Sequence, residues 1–197
     1  HIDWLSRRFS FASLDEVGEY LEEGREFRRP TAAITFDDGY SDVYHHAFPL
    51  LKKKGIPAAV FVVTGLVGTE NVQIFDRFYS ALQLLQKRGR PLSKSVASAL
   101  RVNGVDAASI ERVRRSNEEP FKLMTIALKS FQQQHIELAL ASLEHSLPLL
   151  RRDLDQMRPL TWDMVQEMHR AGIVIGSHTT SHCLLPCETS ENARVEL

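Results

Sequence analysis

An α/β architecture built on parallel strands is the fold class this sequence predicts, and three observations predict it. Short apolar, β-favouring runs recur at residues 31–36, 58–63 and 173–177. Residues at helical spacing occupy much of the chain between them. Gly55 and Gly172 each close a helix just before a strand run, giving the order strand, turn, helix, glycine, strand. Repetition of that unit produces a parallel sheet or a (β/α) barrel.

The elements follow in order. Ile2, Leu5 and Phe9 stand at helical spacing, as the tail of an amphipathic helix over 2–9. Ser13 and Glu16 match a capping box that opens a helix running to about Glu22. The run 31–36 reads as a buried strand, and Gly39 can supply the positive φ of the turn after it. Pro49 fits the first turn of a helix ending near Lys54, and 58–63 is the second buried strand.

The βα rhythm then stops. Phe75, Phe78, Tyr79 and Leu82 mark a helix across 74–85, and Asn117-Glu118-Glu119-Pro120 starts another that carries Phe121, Met124, Leu128 and Phe131. A further helix covers 136–143, and Asn103-Gly104, within 96–105, is a candidate hairpin turn. Thr161 caps a helix bearing Trp162, Val165 and Met168, which leads through Gly172 into the strand 173–177. The expected division is therefore 1–69, 70–158 as a mostly helical insertion, and 159–197 where the rhythm resumes.

At 197 residues the chain is long enough for a sizeable core, as one domain or a domain with an insertion. A net charge of −1 gives no global attraction to nucleic acid or membrane surfaces. No apolar run approaches the roughly 20 residues a bilayer requires. The chain begins at His1, without Met or a signal peptide, and reads as starting inside a longer protein, which leaves cytoplasm and cell envelope both open. Cys183 and Cys187 alone make no disulfide framework.

Chemistry concentrates at two strand ends. Asp37 and Asp38 are adjacent carboxylates, which repel and lose hydration unless a cation, a proton or a donor network compensates. His178-Thr179-Thr180-Ser181-His182 follows the strand at 173–177, again at its downstream end. Loops leaving that end converge on the functional pocket in parallel folds. One carboxylate and two imidazoles make three ligands, leaving a fourth position for water on a catalytic, zinc-like ion.

Taken singly, both clusters have plainer readings: Asp-Asp-Gly is a turn former, and two histidines four apart suit a core pair or a solvated loop. Their joint pattern is stronger evidence. Thr179 stands where a His-Glu-x-x-His helix needs its glutamate, so the base lies elsewhere, and Asp37 is the candidate. The histidines are expected on a tight polar loop or one helical turn.

A competing arrangement gathers His178, His182, Cys183 and Cys187 into a closed structural zinc site, or pairs the cysteines, but leaves the aspartates without a task. His45 and His46 are expected on a helix surface. Lys87, Arg88, Arg90, Lys94, Arg101, Arg112, Arg114 and Arg115 read as a solvated face, with binding of an acidic glycan as the second reading.

Thr35-Phe36-Asp37-Asp38-Gly39-Tyr40 resembles the first motif of the polysaccharide deacetylase family, carbohydrate esterase family 4, and its chitooligosaccharide deacetylase homology domain. His178-Thr179-Thr180-Ser181-His182 is similar to that family's second motif, and the resemblance covers about 31–66 and 160–186. It implies a distorted (β/α) barrel, present here as its N-terminal part with a helical insertion. It implies that Asp38, His178 and His182 bind a divalent metal, zinc first with cobalt, nickel or iron also compatible. Asp37 would be the catalytic base, and Thr179 would brace the histidine loop.

The implied activity is metal-dependent hydrolysis of N-acetyl or other acyl groups on a carbohydrate polymer or oligosaccharide, a carbon–nitrogen bond outside peptides. The implied partner is an acetylated glycan, and a noncatalytic glycan-binding or structural zinc domain is the rival. The family's base-orienting arginine, oxyanion donor and acid histidine would fall after Leu197. The stretch alone is therefore expected to be inactive or weak.

Overall fold

Parallel pairing organises the strands of this computed structural model, which describes residues 1–102, 105–116, 119–147, 149 and 154–197. Ser10–Phe11 (β1) pairs with Thr31–Ala32 (β2). Thr35–Phe36 (β3), Ala59–Val62 (β4) and Val174–Ser177 (β5) form a parallel sheet in the order β3-β4-β5. The parallel α/β expectation is met in this sheet. The run 31–36, expected as one strand, is instead two short strands in different sheets. Ile34 and Phe36 of the run, with Phe11 of β1, pack against one core.

Register decides where the strands end. Phe36 lies opposite Val60, and Ser177 lies opposite Val62. Continuing the β3 register brings Asp38 level with Val62, so the chain leaves both outer strands near one residue of the central strand.

Local signals explain the flanking helices. Ile2–Ser6 (α1) is shorter than expected, because residues 10 and 11 enter β1. Leu14–Glu22 (α2) opens with the capping box: Glu16 N–H donates to Ser13 Oγ at 3.1 Å, and Ser13 N–H donates to Glu16 Oε2 at 2.7 Å. Such a cap is worth about 1 kcal/mol. A π-turn at Val43–Ala47, not foreseen, feeds Phe48–Lys54 (α3), which ends on Gly55 at φ 63°. His45 and His46 are exposed on that turn.

Ile74–Lys87 (α4), Leu92–Val102 (α5), Ala107–Arg114 (α6), Pro120–Leu128 (α7) and Gln133–Ser146 (α8) fill the interval before Trp162–Arg170 (α9). Thr161 caps α9 by accepting the Met164 N–H at 3.2 Å. Ser190–Glu196 (α10) follows the histidine loop. The described residues just before the candidate hairpin turn are helix, not strand. Residues 96–102 are the second half of α5, because Val96, Ala99 and Leu100 continue the apolar face begun at Leu92. Asn103 and Gly104 themselves, like Asn117 and Glu118 of the expected α7 start, lie outside the described residues. Glu119 caps α7, accepting the N–H groups of Phe121 at 3.0 Å and Lys122 at 2.9 Å.

The chain divides into two compact units, His1–Glu70 with Pro159–Thr179 and Asn71–Arg158 with Thr180–Leu197. The first packs Val60, Val62, Leu51, Leu160, Met168 and Ile173 around its sheet. The second buries Phe78, Leu82, Leu100, Leu123 and Leu140 completely. Among the described residues no helix is long and apolar enough to cross a membrane.

Candidate functional site

Gly39 shows why the first motif needs its glycine. It sits at φ 70°, and a Cβ there would meet Val62 Cγ1 at 3.0 Å and Val62 Cα at 3.2 Å. Its N–H donates to the Asp37 carbonyl at 2.9 Å, closing a tight turn directly after β3. Across the sheet, His178 N–H donates to the Val62 carbonyl at 2.8 Å. Both outer strands thus release their polar residues against Val62.

Among the described residues, three other than glycine have positive φ: Asp38 at 73°, Thr179 at 65° and His182 at 61°. Asp and His enter this left-handed region more readily than most residues, whereas a β-branched Thr there is a true outlier. Such conformations cost about 1–3 kcal/mol each and persist where surroundings over-determine them, commonly at functional sites. The strain therefore coincides with both sequence motifs.

The side chains converge as well. His178 Nε2 lies 3.6 Å from Asp38 Oδ1, and both groups are partly buried. Asp38, His178 and His182 each offer a ligand atom, and these atoms all lie within 4.8 Å of one another. A hard carboxylate oxygen with two imidazole nitrogens is a donor set that suits a divalent transition ion. The residues present therefore fit such an ion. Asp37 precedes this group at the exit of β3 and is exposed to solvent.

The histidine loop is held from several sides. Thr64, after β4, donates its N–H to the Thr179 carbonyl at 3.1 Å. Glu196 accepts the Ser181 N–H at 2.8 Å and the Ser181 hydroxyl at 2.6 Å, while Gln133 Nε2 donates to Ser181 Oγ at 2.8 Å. Phe75 meets His182 edge to face, with centroids 4.8 Å apart. Sequence reasoning missed Thr64, Gln133 and Glu196 altogether and treated Phe75 only as a helix-face apolar residue. Single residues so distant in sequence carry no local signal of such contacts.

A family model for polysaccharide deacetylases matches residues 24–197. This chain belongs to the polysaccharide deacetylase family. A stretch of 76 residues, 38% of this chain, is 41% identical to a poly-beta-1,6-N-acetyl-D-glucosamine N-deacetylase of Staphylococcus aureus, covering 26% of that protein. The Staphylococcus epidermidis enzyme of the same name is 36% identical over 88 residues, 44% of this chain and 28% of that protein. These matches span only about a quarter of the relatives' length. A Streptococcus pyogenes deacetylase, PplD, in complex with acetate is similar with a TM-score of 0.48 and 17% identity, over 97% of this chain and 47% of that one.

Neither Cys183 nor Cys187 belongs to the candidate metal-binding group. Burial, reinforced by the charges of Glu196 and Glu188, pushes the Cys183 thiol up to about 11. Cys187 Sγ donates to the Lys129 carbonyl at 3.7 Å, and both cysteines are free thiols. The closed zinc site is therefore not favoured.

Part of the basic run is internally paired. Arg114 and Arg115 both donate to Glu111, at 2.6 Å each through Nε, and these guanidinium groups hold the Glu111 carboxyl at about 2. Arg90 and Lys94 border a serine-lined groove of about 480 Å³.

Proposed function

We propose that the chain carries part of the catalytic centre of a metal-dependent hydrolase that removes N-acetyl groups from a carbohydrate polymer or oligosaccharide. The observation that carries this reading is the convergence of Asp38, His178 and His182 within 4.8 Å, in a chain of the polysaccharide deacetylase family. In this reading those three residues hold the ion. Asp37 is the general base. The frame is a distorted (β/α) barrel, contributed by 1–69 and 159–197 and interrupted by the insertion 70–158.

A divalent ion bound there supplies a Lewis acid that polarises the acetyl carbonyl and lowers the pKa of a water. The chain's own part is to take and place protons. Asp37, exposed beside the ion-binding carboxylate, accepts a proton from the attacking water as a C–O bond forms at the acetyl carbon. Cleavage of the C–N bond then releases acetate and leaves a free amine on the sugar, the nitrogen gaining a proton. Asp38 serves the ion and is thereby unsuited to the same task, which divides the labour within the pair. The donor set suits zinc first, with cobalt, nickel and iron as alternatives set by availability.

The named staphylococcal relatives make β-1,6-linked N-acetylglucosamine polymer the first substrate to test. Metal content by mass spectrometry and acetate release from that polymer are measured on the protein containing this chain. Asp38→Ala is expected to lose metal and activity together. Asp37→Asn is expected to keep metal and lose at least about 100-fold in rate, the usual contribution of a positioned base. Stoichiometric metal in Asp38→Ala, or undiminished turnover in Asp37→Asn, overturns the assignment.

A further inference from the structure

We propose that Phe75, Gln133 and Glu196 are positioning residues for His182, so that the helical stretch serves the ion site as well as extending the core. This rests on the reading of Asp38, His178 and His182 as the ion-binding set.

The loop demands outside support. Thr179 at φ 65° and His182 at φ 61° would relax toward ordinary backbone conformations if nothing opposed them. Glu196 opposes this at Thr180 and Ser181. Its two carboxylate oxygens separately accept the N–H and O–H of Ser181, at 2.8 and 2.6 Å, and its backbone carbonyl accepts the Thr180 N–H at 3.0 Å. Bonds to an ionised acceptor are shorter and about twice as strong as neutral ones. The residue immediately before His182 is thereby fixed in position and orientation.

Gln133 locks the same hydroxyl from the other side. Its Nε2 donates to Ser181 Oγ at 2.8 Å, which commits the hydroxyl proton to Glu196. Gln133 is itself anchored, because its N–H at the start of α8 donates to Glu188 Oε1 at 2.7 Å. Phe75, near the start of α4, acts on the imidazole directly. With centroids 4.8 Å apart and planes at 83°, it restricts rotation of the His182 ring on that side. Three side chains from three helices therefore fix both the backbone and the ring of one ligand. The stretch between the two motifs supplies two of them.

Partners that orient metal ligands typically change affinity 10- to 100-fold. The test measures zinc affinity by chelator competition and visible absorption of the cobalt-loaded chain, with circular dichroism reporting the fold. Glu196→Ala is expected to weaken zinc binding about 10- to 100-fold. Glu196→Gln, which keeps one acceptor oxygen for the loop, should restore much of that loss. Phe75→Ala and Gln133→Ala should each weaken binding about 10-fold and alter the cobalt spectrum without changing helix content.

Asp38→Ala separates the two levels of argument. If it binds zinc like the parent, the ion-site reading fails. If it loses zinc while the Phe75, Gln133 and Glu196 variants bind like the parent, the positioning role fails and the ion site stands. Should Glu196→Ala not fold, Gln133→Ala and Phe75→Leu decide: parental affinity and spectrum in both overturn the role, and weakened binding by Gln133→Ala with an intact fold supports it.

Discussion

Among the described residues, Asp38, Thr179 and His182 all take positive φ on loops leaving β3 and β5. The helices α4 to α8, by contrast, use ordinary backbone and bury Phe78, Leu82, Leu100, Leu123 and Leu140 to zero exposure. Stability and chemistry are therefore drawn from different kinds of structure. Helical packing gains apolar burial at about 1.5–3 kcal/mol per large side chain. The strand exits hold unfavourable backbone in return for donor placement.

That contrast can be broken at its strongest point first. Phe78→Ala removes a fully buried ring from the helical core and is expected to cost about 3–5 kcal/mol, read from the midpoint of urea denaturation. A loss below about 1 kcal/mol would mean that the helical stretch is not where this chain keeps its stability. Gly39→Ala comes next. It puts a Cβ 3.0 Å from Val62 Cγ1 at φ 70°, and is expected to cost about 1–3 kcal/mol and to weaken zinc binding with it. Unchanged zinc affinity would separate the β3 turn from the proposed ion site.

The smallest effect is the most diagnostic, because one substitution type should change sign between the two regions. Thr179→Gly relieves a β-branched residue at φ 65° and is expected to be neutral or stabilising by up to about 1 kcal/mol. Ala81→Gly, inside α4, is expected to destabilise by about 1 kcal/mol. Equal losses from both in thermal melts would erase the distinction.

Legibility in the sequence followed the range of the interactions. The α2 capping box, the Thr161 cap and the glycine stop at Gly55 were readable because each depends on residues a few positions apart. The two polar clusters at Asp37-Asp38 and His178–His182 were readable because each ends an apolar strand. The split of 31–36 was hidden, since Ala33 and Ile34 carry no turn chemistry and both flanking halves open on a β-favouring threonine. The helix over 96–102 was hidden as well, because its apolar face shows only when traced back to Leu92. Glu196 and Gln133 were invisible because their partner is the histidine loop, and only folding brings 133 to 181.

Val62 is where the two motifs share a reference point. Its side chain fills the space a Cβ on Gly39 would need, and its carbonyl accepts the His178 N–H. Its bulk therefore bears on the turn that presents Asp38, while its backbone holds the start of the histidine loop. Trimming it with Val62→Ala, or thickening it with Val62→Ile, would work as a caliper adjustment on the gap between Asp38 and His178. Metal preference across ions of different radius, more than overall affinity, is where that adjustment should register.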